Sequence, residues 1–239
     1  MPNWVINKLS FEGDSSSIEN IMKSISTEKE IIDFDKIIPM PKSLRIENFS
    51  STDESFAVAL YLDLKDESEI TKRINWLNKN DPTSIDDYIK KVVGNRDLDD
   101  FLRPGRIAIE NIKLYGHKDW YSWSIENWGT KWNVSDAYLN HLGEIVFETA
   151  WSTPFAVVFE LSIQFPEILF KTKFADESIG SNCGEYHLKN GIVIFQNEYD
   201  EVEACELWGY DPIEMFDYVR RDCTIDKILN EDDNNNSSL

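Results

Sequence analysis

Residues 3–41 and 144–174 each read as a short extended run, an apolar stripe at helical spacing and a second extended run, and this pairing constrains the fold more than any other feature. In the first stretch Val5, Leu9 and Phe11 alternate with polar neighbours up to Gly13, with Asn7 interrupting the apolar side. Ile18, Ile21, Met22 and Ile25 then recur at i, i+3, i+4 and i+7, which is one face of a helix capped by Asp14 or a following serine. A second strand is expected through Ile31, Ile32, Phe34 and Ile37, stopped by Pro39 and Pro41. In the later stretch 144–151 reads as a strand, Thr153-Pro154 opens a helix carrying Phe155, Val158, Leu161 and Phe165, and 168–174 reads as another strand.

Two β-α-β halves in one chain predict an α+β protein: a ferredoxin-like split β-α-β antiparallel sheet with both helices on one face. The segment 42–143 keeps helical spacing at Ile70, Ile74 and Leu77, at Ile85, Ile89 and Val92, and at Ala108, Ile112 and Tyr115. Ser51-Thr52-Asp53-Glu54 fits a capping box, and Asp81-Pro82 fits a capped start. We read it as a helical insertion of four or five short helices between strands two and three. Asn190-Gly191, between extended runs at 185–188 and 192–195, adds a β-hairpin to the sheet. The expected order is a first half over 1–41, the insertion over 42–143, the second half with hairpin over 144–197, an acidic helical segment over 198–229 that contains a capped helix start at Asp211-Pro212, and a disordered tail over 230–239.

Charge excludes some partners. The 44 acidic residues against 24 basic ones leave a formal charge of −20, which argues against nonspecific binding to nucleic acid or to an anionic membrane. Thirteen acidic residues against three basic ones fall within 198–239, and such a run reads first as a solvated face. No apolar run reaches the ~20 residues of a membrane span and no secretory pattern opens the chain, so a cytoplasmic protein is expected. Cys183, Cys205 and Cys223 are dispersed and odd in number, which fits reduced thiols rather than a disulfide framework.

Candidate chemistry concentrates in two places. Trp120, Trp123, Trp128 and Trp132 fall within sixteen residues, and with Lys131 they form either a stacking platform or a small core under the insertion. Asp176 and Glu177, with Glu148 and Glu185 on neighbouring strands, are enough carboxylates for Mg²⁺ or acid–base work in principle, although a chain this acidic produces such sets by chance. Gly180 to Gly184 reads as a tight turn or an anion-binding nest. Within it Cys183 has His187 as its nearest candidate base, the minimum for a nucleophilic hydrolase. No P-loop, Rossmann glycine fingerprint, H-E-x-x-H or zinc array is present in the sequence, so we expect no cofactor and no metal.

Met1-Pro2-Asn3-Trp4-x-x-Asn7-x-Leu9, Ser124-Ile125-Glu126-Asn127-Trp128-Gly129-Thr130-Lys131-Trp132-Asn133, Phe147-Glu148-Thr149-Ala150-Trp151-Ser152-Thr153-Pro154 and Ala175-Asp176-Glu177-Ser178-Ile179-Gly180-Ser181-Asn182-Cys183-Gly184-Glu185-Tyr186 occur in that order. These motifs, spread over 2–40 and 116–195, resemble the YubB-type ferredoxin-like proteins of plasmids and phages, a family without an established function. Thr153 departs from the proline of many members, a mild change because threonine also caps helices. The resemblance implies the fold and a mobile-element origin, and it implies no activity.

The expected function is an accessory protein of a mobile element that binds a host or mobile-element protein without catalysis. An acidic decoy of a host nucleic-acid-binding or defence protein is one form of it. The alternative is a small-molecule or nucleotide-binding enzyme built on the 176–186 loop and the tryptophan segment. The contact residues for either are Trp120, Trp123, Trp128, Lys131, Trp132, Trp151, Asp176, Glu177, Asn182, Cys183 and Glu185.

Overall fold

The structure is a computed structural model that describes residues 2–48, 50–77 and 84–215. The expected cap at Asp81-Pro82, the side chain of Leu77, Phe216 and Val219 of the expected C-terminal helix, Cys223 and the 230–239 tail lie outside the described residues. The chain divides into two compact units, one of Met1–Ile37 with Trp132–Leu239 and one of Ile38–Lys131.

The first unit is built on six strands: β1 (Trp4–Glu12), β2 (Ser135–Leu139), β3 (Ile145–Ala150), β4 (Leu169–Asp176), β5 (Cys183–Lys189) and β6 (Ile192–Glu198). They form one antiparallel sheet in the order β2-β3-β1-β4-β5-β6. Helix α1 (Ser15–Ile25) follows β1 and is capped by Asp14, whose carboxylate accepts the Ser17 N–H at 2.9 Å. Helix α8 (Phe155–Gln164) connects β3 to β4. With β1, α1, β2, β3, α8 and β4 in chain order, the first four strands follow the ferredoxin-like plan, and β5 and β6 extend the sheet beyond β4.

Alternation separates the two faces of the sheet. Val5, Asn7 and Leu9 of β1 and Ile145, Phe147 and Thr149 of β3 are all fully buried on the helix-covered side. There Ile21 and Ile25 of α1 and Val157, Val158 and Leu161 of α8 complete the core. Asn7 is tolerated because its amide donates to Thr149 Oγ1 at 2.8 Å and to Val5 O at 2.9 Å. On the other face Ile6, Val146 and Ala175 pack against Ala204 and Leu207 of helix α9 (Glu201–Trp208), which begins in a capping box between Asp200 and Glu203. The Asp211-Pro212 start is present, with the Ile213 N–H donated to Asp211 at 2.8 Å.

Two expectations fail here. The strand through 31–37 does not form: Phe34–Ile37 is a single helical turn, α2, because Asp33 accepts the Asp35 N–H at 2.9 Å and Asn133 accepts the Phe34 N–H at 3.0 Å. The apolar residues Ile32, Phe34 and Ile37 are buried all the same. The second strand of the ferredoxin-like plan is instead β2, so the helical segment enters between α1 and β2 and not between strands two and three.

The second unit is helical. A 3-10 turn at Lys42–Leu44 precedes α3 (Ser50–Leu64), α4 (Ser68–Leu77), α5 (Ile85–Val93), α6 (Leu98–Tyr115) and α7 (Trp120–Trp128). Ala57, Val58, Ile70, Tyr88, Phe101 and Leu102 are core residues of this unit. The expected capping box at 51–54 is inside α3, where Asp53 pairs with Arg73 at 2.9 Å rather than capping. The crossing of α3 and α6 depends on Gly105: its N–H donates to Ser55 Oγ at 2.8 Å, and a Cβ there would fall 2.4 Å from the Ser55 backbone. Among the described residues no helix is long and apolar enough to cross a membrane.

Candidate functional site

The motifs quoted above converge, in the sheet unit, on one end of the sheet. The Trp151 N–H donates to Asn3 O at 2.9 Å, the Asn3 amide donates to Asp176 at 3.2 Å, and the Glu177 N–H donates to Trp4 O at 2.8 Å. Asn182 donates to Trp151 O at 3.1 Å, and both residues hold positive φ, 45° and 74°. Trp132 packs against Trp4 with ring centroids 5.9 Å apart. Asp176 is buried, and its carboxylate also accepts the Ser178 N–H at 2.8 Å. These contacts clasp the sheet end and hold the 177–182 loop in a tight turn, in which Ser181 donates to Ser178 O. The anion-nest reading fits poorly, because Gly180 lies against Glu201.

Strand β5 places Cys183, Glu185 and His187 on one face by alternation. Glu185 stands between the other two and accepts from Tyr199 Oη at 2.6 Å and bonds His187 Nε2 at 2.6 Å. Burial pushes the Glu185 carboxyl up, but these two donors outweigh it and hold it below the ordinary range. Burial raises the Cys183 thiol, and Glu203, Asp200, Glu198 and Asp176 raise it further. Four residues along a strand span about 13 Å, so His187 is out of reach of Cys183, and a raised thiol is a poor nucleophile. The Cys183–His187 pair therefore does not assemble.

The carboxylates do not assemble either. Asp176 turns to Asn3 and Ser178, Glu185 to Tyr199 and His187, and among the described residues no group of three or more His, Cys, Asp or Glu side chains could hold a metal ion. Glu148 is raised by burial, then by Asp136 and Glu177.

A cavity of about 480 Å³ opens at the same end, on β5 and β6. Gly184 is opposite Phe174 on one side and Glu198 on the other. No side chain fits there, since a Cβ would meet the Asn197 carbonyl at 2.5 Å. Phe155, Phe174 and Tyr186 form an aromatic wall, with Phe155 and Tyr186 centroids 5.1 Å apart. The Tyr186 hydroxyl is 3.3 Å from Thr153 Oγ1, and burial pushes its pKa up to about 12. Asn182, Cys183, Glu185, Gln196, Glu198 and Tyr199 are also in the lining, which contains no Lys, Arg or His. Such a lining disfavours phosphorylated ligands and accepts neutral or cationic ones.

Of the sequence-predicted residues, Asn182, Cys183 and Glu185 line this cavity, while Trp151, Asp176 and Trp132 belong to the clasp beside it, with Glu177 joining through its backbone. Trp120, Trp123, Trp128 and Lys131 belong to the helical unit. Trp123 and Trp128 are buried and meet edge to face at 5.4 Å, and Trp128 Nε1 donates to Ile38 O at 2.9 Å. Trp120 is half-buried and meets Tyr121 edge to face, and Lys131 lies over the Tyr121 ring. Two of these four residues are thus core. Sequence reading missed Phe155, Phe174, Tyr186, Glu198 and Tyr199 as lining residues, although projecting alternation through the Asn190-Gly191 hairpin places Tyr186 and Gln196 on one face.

Residues 127–214 match a family model described as the ferredoxin-like domain in Api92-like protein. The match spans β2 to α9, and with them the cavity and the hairpin. A solved structure described as a crystal structure of a protein api92 from Yersinia pseudotuberculosis is similar at 12% identity and a TM-score of 0.40, covering 83% of this chain and 98% of that one. No curated protein matches the chain.

Proposed function

We propose that this protein is a noncatalytic protein-binding module, an accessory protein of a plasmid or phage of the YubB type, and that strand β6 is its contact surface. The observation that carries this reading is the state of that strand. All seven residues of β6 are exposed, Ile192, Val193, Ile194 and Phe195 among them at 59%, 42%, 55% and 44%. Among the described residues β6 ends the sheet, and an edge strand with apolar side chains on both faces is a template for another chain. The burial of Trp123 and Trp128 moves the expected contact surface away from the tryptophan segment and toward this edge.

The acidic-decoy form of the reading draws support from 198–215, where seven acidic residues, all exposed, occur without a single Lys or Arg. A partner of this protein is therefore expected to be basic. The cavity favours the alternative of a small-molecule binder, with the ligand neutral or cationic rather than a nucleotide.

Capture from a host lysate at low and high salt tests the proposal, with Ile194→Lys as the edge variant and Trp123→Ala as a packing control. The expected result is a protein retained at low salt, released at high salt and lost with Ile194→Lys. Retention of nothing specific by the wild-type chain overturns it.

A further inference from the structure

The outer flank of α8 runs beside the hairpin. Phe155, Phe159 and Ile163 recur at i, i+4 and i+8, with Phe155 and Ile163 39% and 47% exposed and the Phe155 and Phe159 rings stacked at 6.1 Å. The two ends of this stripe are fixed against the hairpin. Phe155 meets Tyr186 at the cavity, while at the turn the Gly191 N–H donates to Ser162 Oγ at 3.0 Å beneath Ile163 and Phe159. The helix and β6 are thus antiparallel, and the apolar stripe runs alongside the hairpin from its turn to the cavity.

Spacing and charge select what fits. Residues four apart on a helix repeat every ~6 Å, and alternate residues of a strand every ~6.8 Å, so three alternate side chains of an added strand match Phe155, Phe159 and Ile163. The next alternate position reaches the cavity, whose lining includes Glu198 and Glu185 and no Lys, Arg or His. Glu201 packs against Gly180 at its rim, and Asp200 and Glu203 are close enough to raise the Cys183 thiol. A second copy of this chain fits poorly, since each copy carries a formal charge of −20.

Building on the protein-binding reading, we propose that β6 accepts an extended segment of a partner protein as a seventh, antiparallel strand, with alternate apolar residues on the α8 stripe and an N-terminal basic residue in the cavity beside Glu198. Antiparallel addition sets this polarity, because it places the N-terminal end of the segment at the C-terminal end of β6.

The test uses the full chain and a capped peptide, Lys-Thr-Val-Thr-Val-Thr-Val, with versions carrying norleucine or Glu in place of Lys. Binding is measured by fluorescence anisotropy and amide hydrogen exchange. The Lys peptide is expected to slow exchange along β6, to bind about tenfold more weakly to Glu198→Gln and more weakly still to Ile194→Lys. With norleucine the Glu198→Gln effect is expected to vanish. Equal binding of the Glu peptide, or binding unchanged by Ile194→Lys, overturns the proposal. So do β6 amides already protected in the free chain, which would mean that the chain covers its own edge, and a neutral-pH dimer abolished by Ile194→Lys, which would make the occupant a second copy. If the peptide fails while a lysate partner is still captured, strand addition falls and the binding-module reading stands. If both fail, both readings fall.

Discussion

β2 and β6 close the same sheet at opposite edges. β2 is five residues long, holds Asp136 at a φ of 48° and shifts register against β3, three devices that discourage another strand from pairing. β6 runs for seven residues, presents Ile192 to Phe195 in succession and has no charge before Glu198. It also bulges, at Ile194, yet the bulge leaves apolar side chains exposed on both faces. A fold that protects one edge and leaves the other sticky retains that stickiness against an aggregation cost, and the difference points to use. Each edge serves as the reference for changes made at the other.

The largest effect is expected from Gly184→Val, which forces a side chain into the Asn197 carbonyl and pushes β6 from β5. The sheet unit should lose about 2–3 kcal/mol, and hydrogen exchange should quicken along β5 and β6 while the β2–β3 pairing keeps its protection. If β2 opens first, the two edges are not independent. Next in size is self-association under acid. The charge that keeps copies apart vanishes near the isoelectric point of about 4.5, where light scattering should show assemblies grow. Ile194→Lys should suppress that growth and Tyr138→Lys on β2 should not; equal suppression by both would mean that surface charge, and not β6, governs association.

Residues 144–199 were more legible than residues 31–139, for local reasons. Asn190-Gly191 determines its hairpin by itself, because both residues adopt positive φ, 49° and 67°. The α8 stripe and its flanking strands are read from contiguous sequence. The helical turn at Phe34–Ile37 depends instead on Asn133, 99 residues away, which accepts the Phe34 N–H, so the apolar pattern alone suggested a strand. β2 has only five residues and little apolar alternation, and it stayed hidden at the end of the helical segment. At the site, residue types were visible but their company was not: Cys183 and His187 are near in sequence, yet strand geometry separates them and puts Glu185 between. The tryptophans could be placed on a helix by spacing, but burial separates Trp123 and Trp128 from the rest, and burial is a property of the assembled core.

The smallest effect is electrostatic and has opposite signs at the two edges. Glu185, opposite Asn197 across the β5–β6 ladder, is held below the ordinary value of 4.5 by Tyr199 and His187 despite burial. Its contribution to stability is present above pH 4.5 and is lost as the pH falls through the lowered folded value. Glu148, opposite Ser135 of β2, is raised above 4.5 by burial and by Asp136 and Glu177. Its ionised form costs stability above the raised value, and the cost disappears as the pH falls through that window toward 4.5. Glu185→Gln should therefore destabilise at pH 7 and flatten the urea-melt profile below pH 4.5, while Glu148→Gln should stabilise at pH 7 and flatten it above. Each change should stay below about 1 kcal/mol, since even a tenfold change in proton affinity between the folded and unfolded chain is worth only about 1.4 kcal/mol and solvent screens both carboxylates. Urea midpoints from pH 3 to 7 separate the two. If the variants move the profile in the same direction, the Tyr199–Glu185–His187 network does not stabilise the hairpin that presents β6.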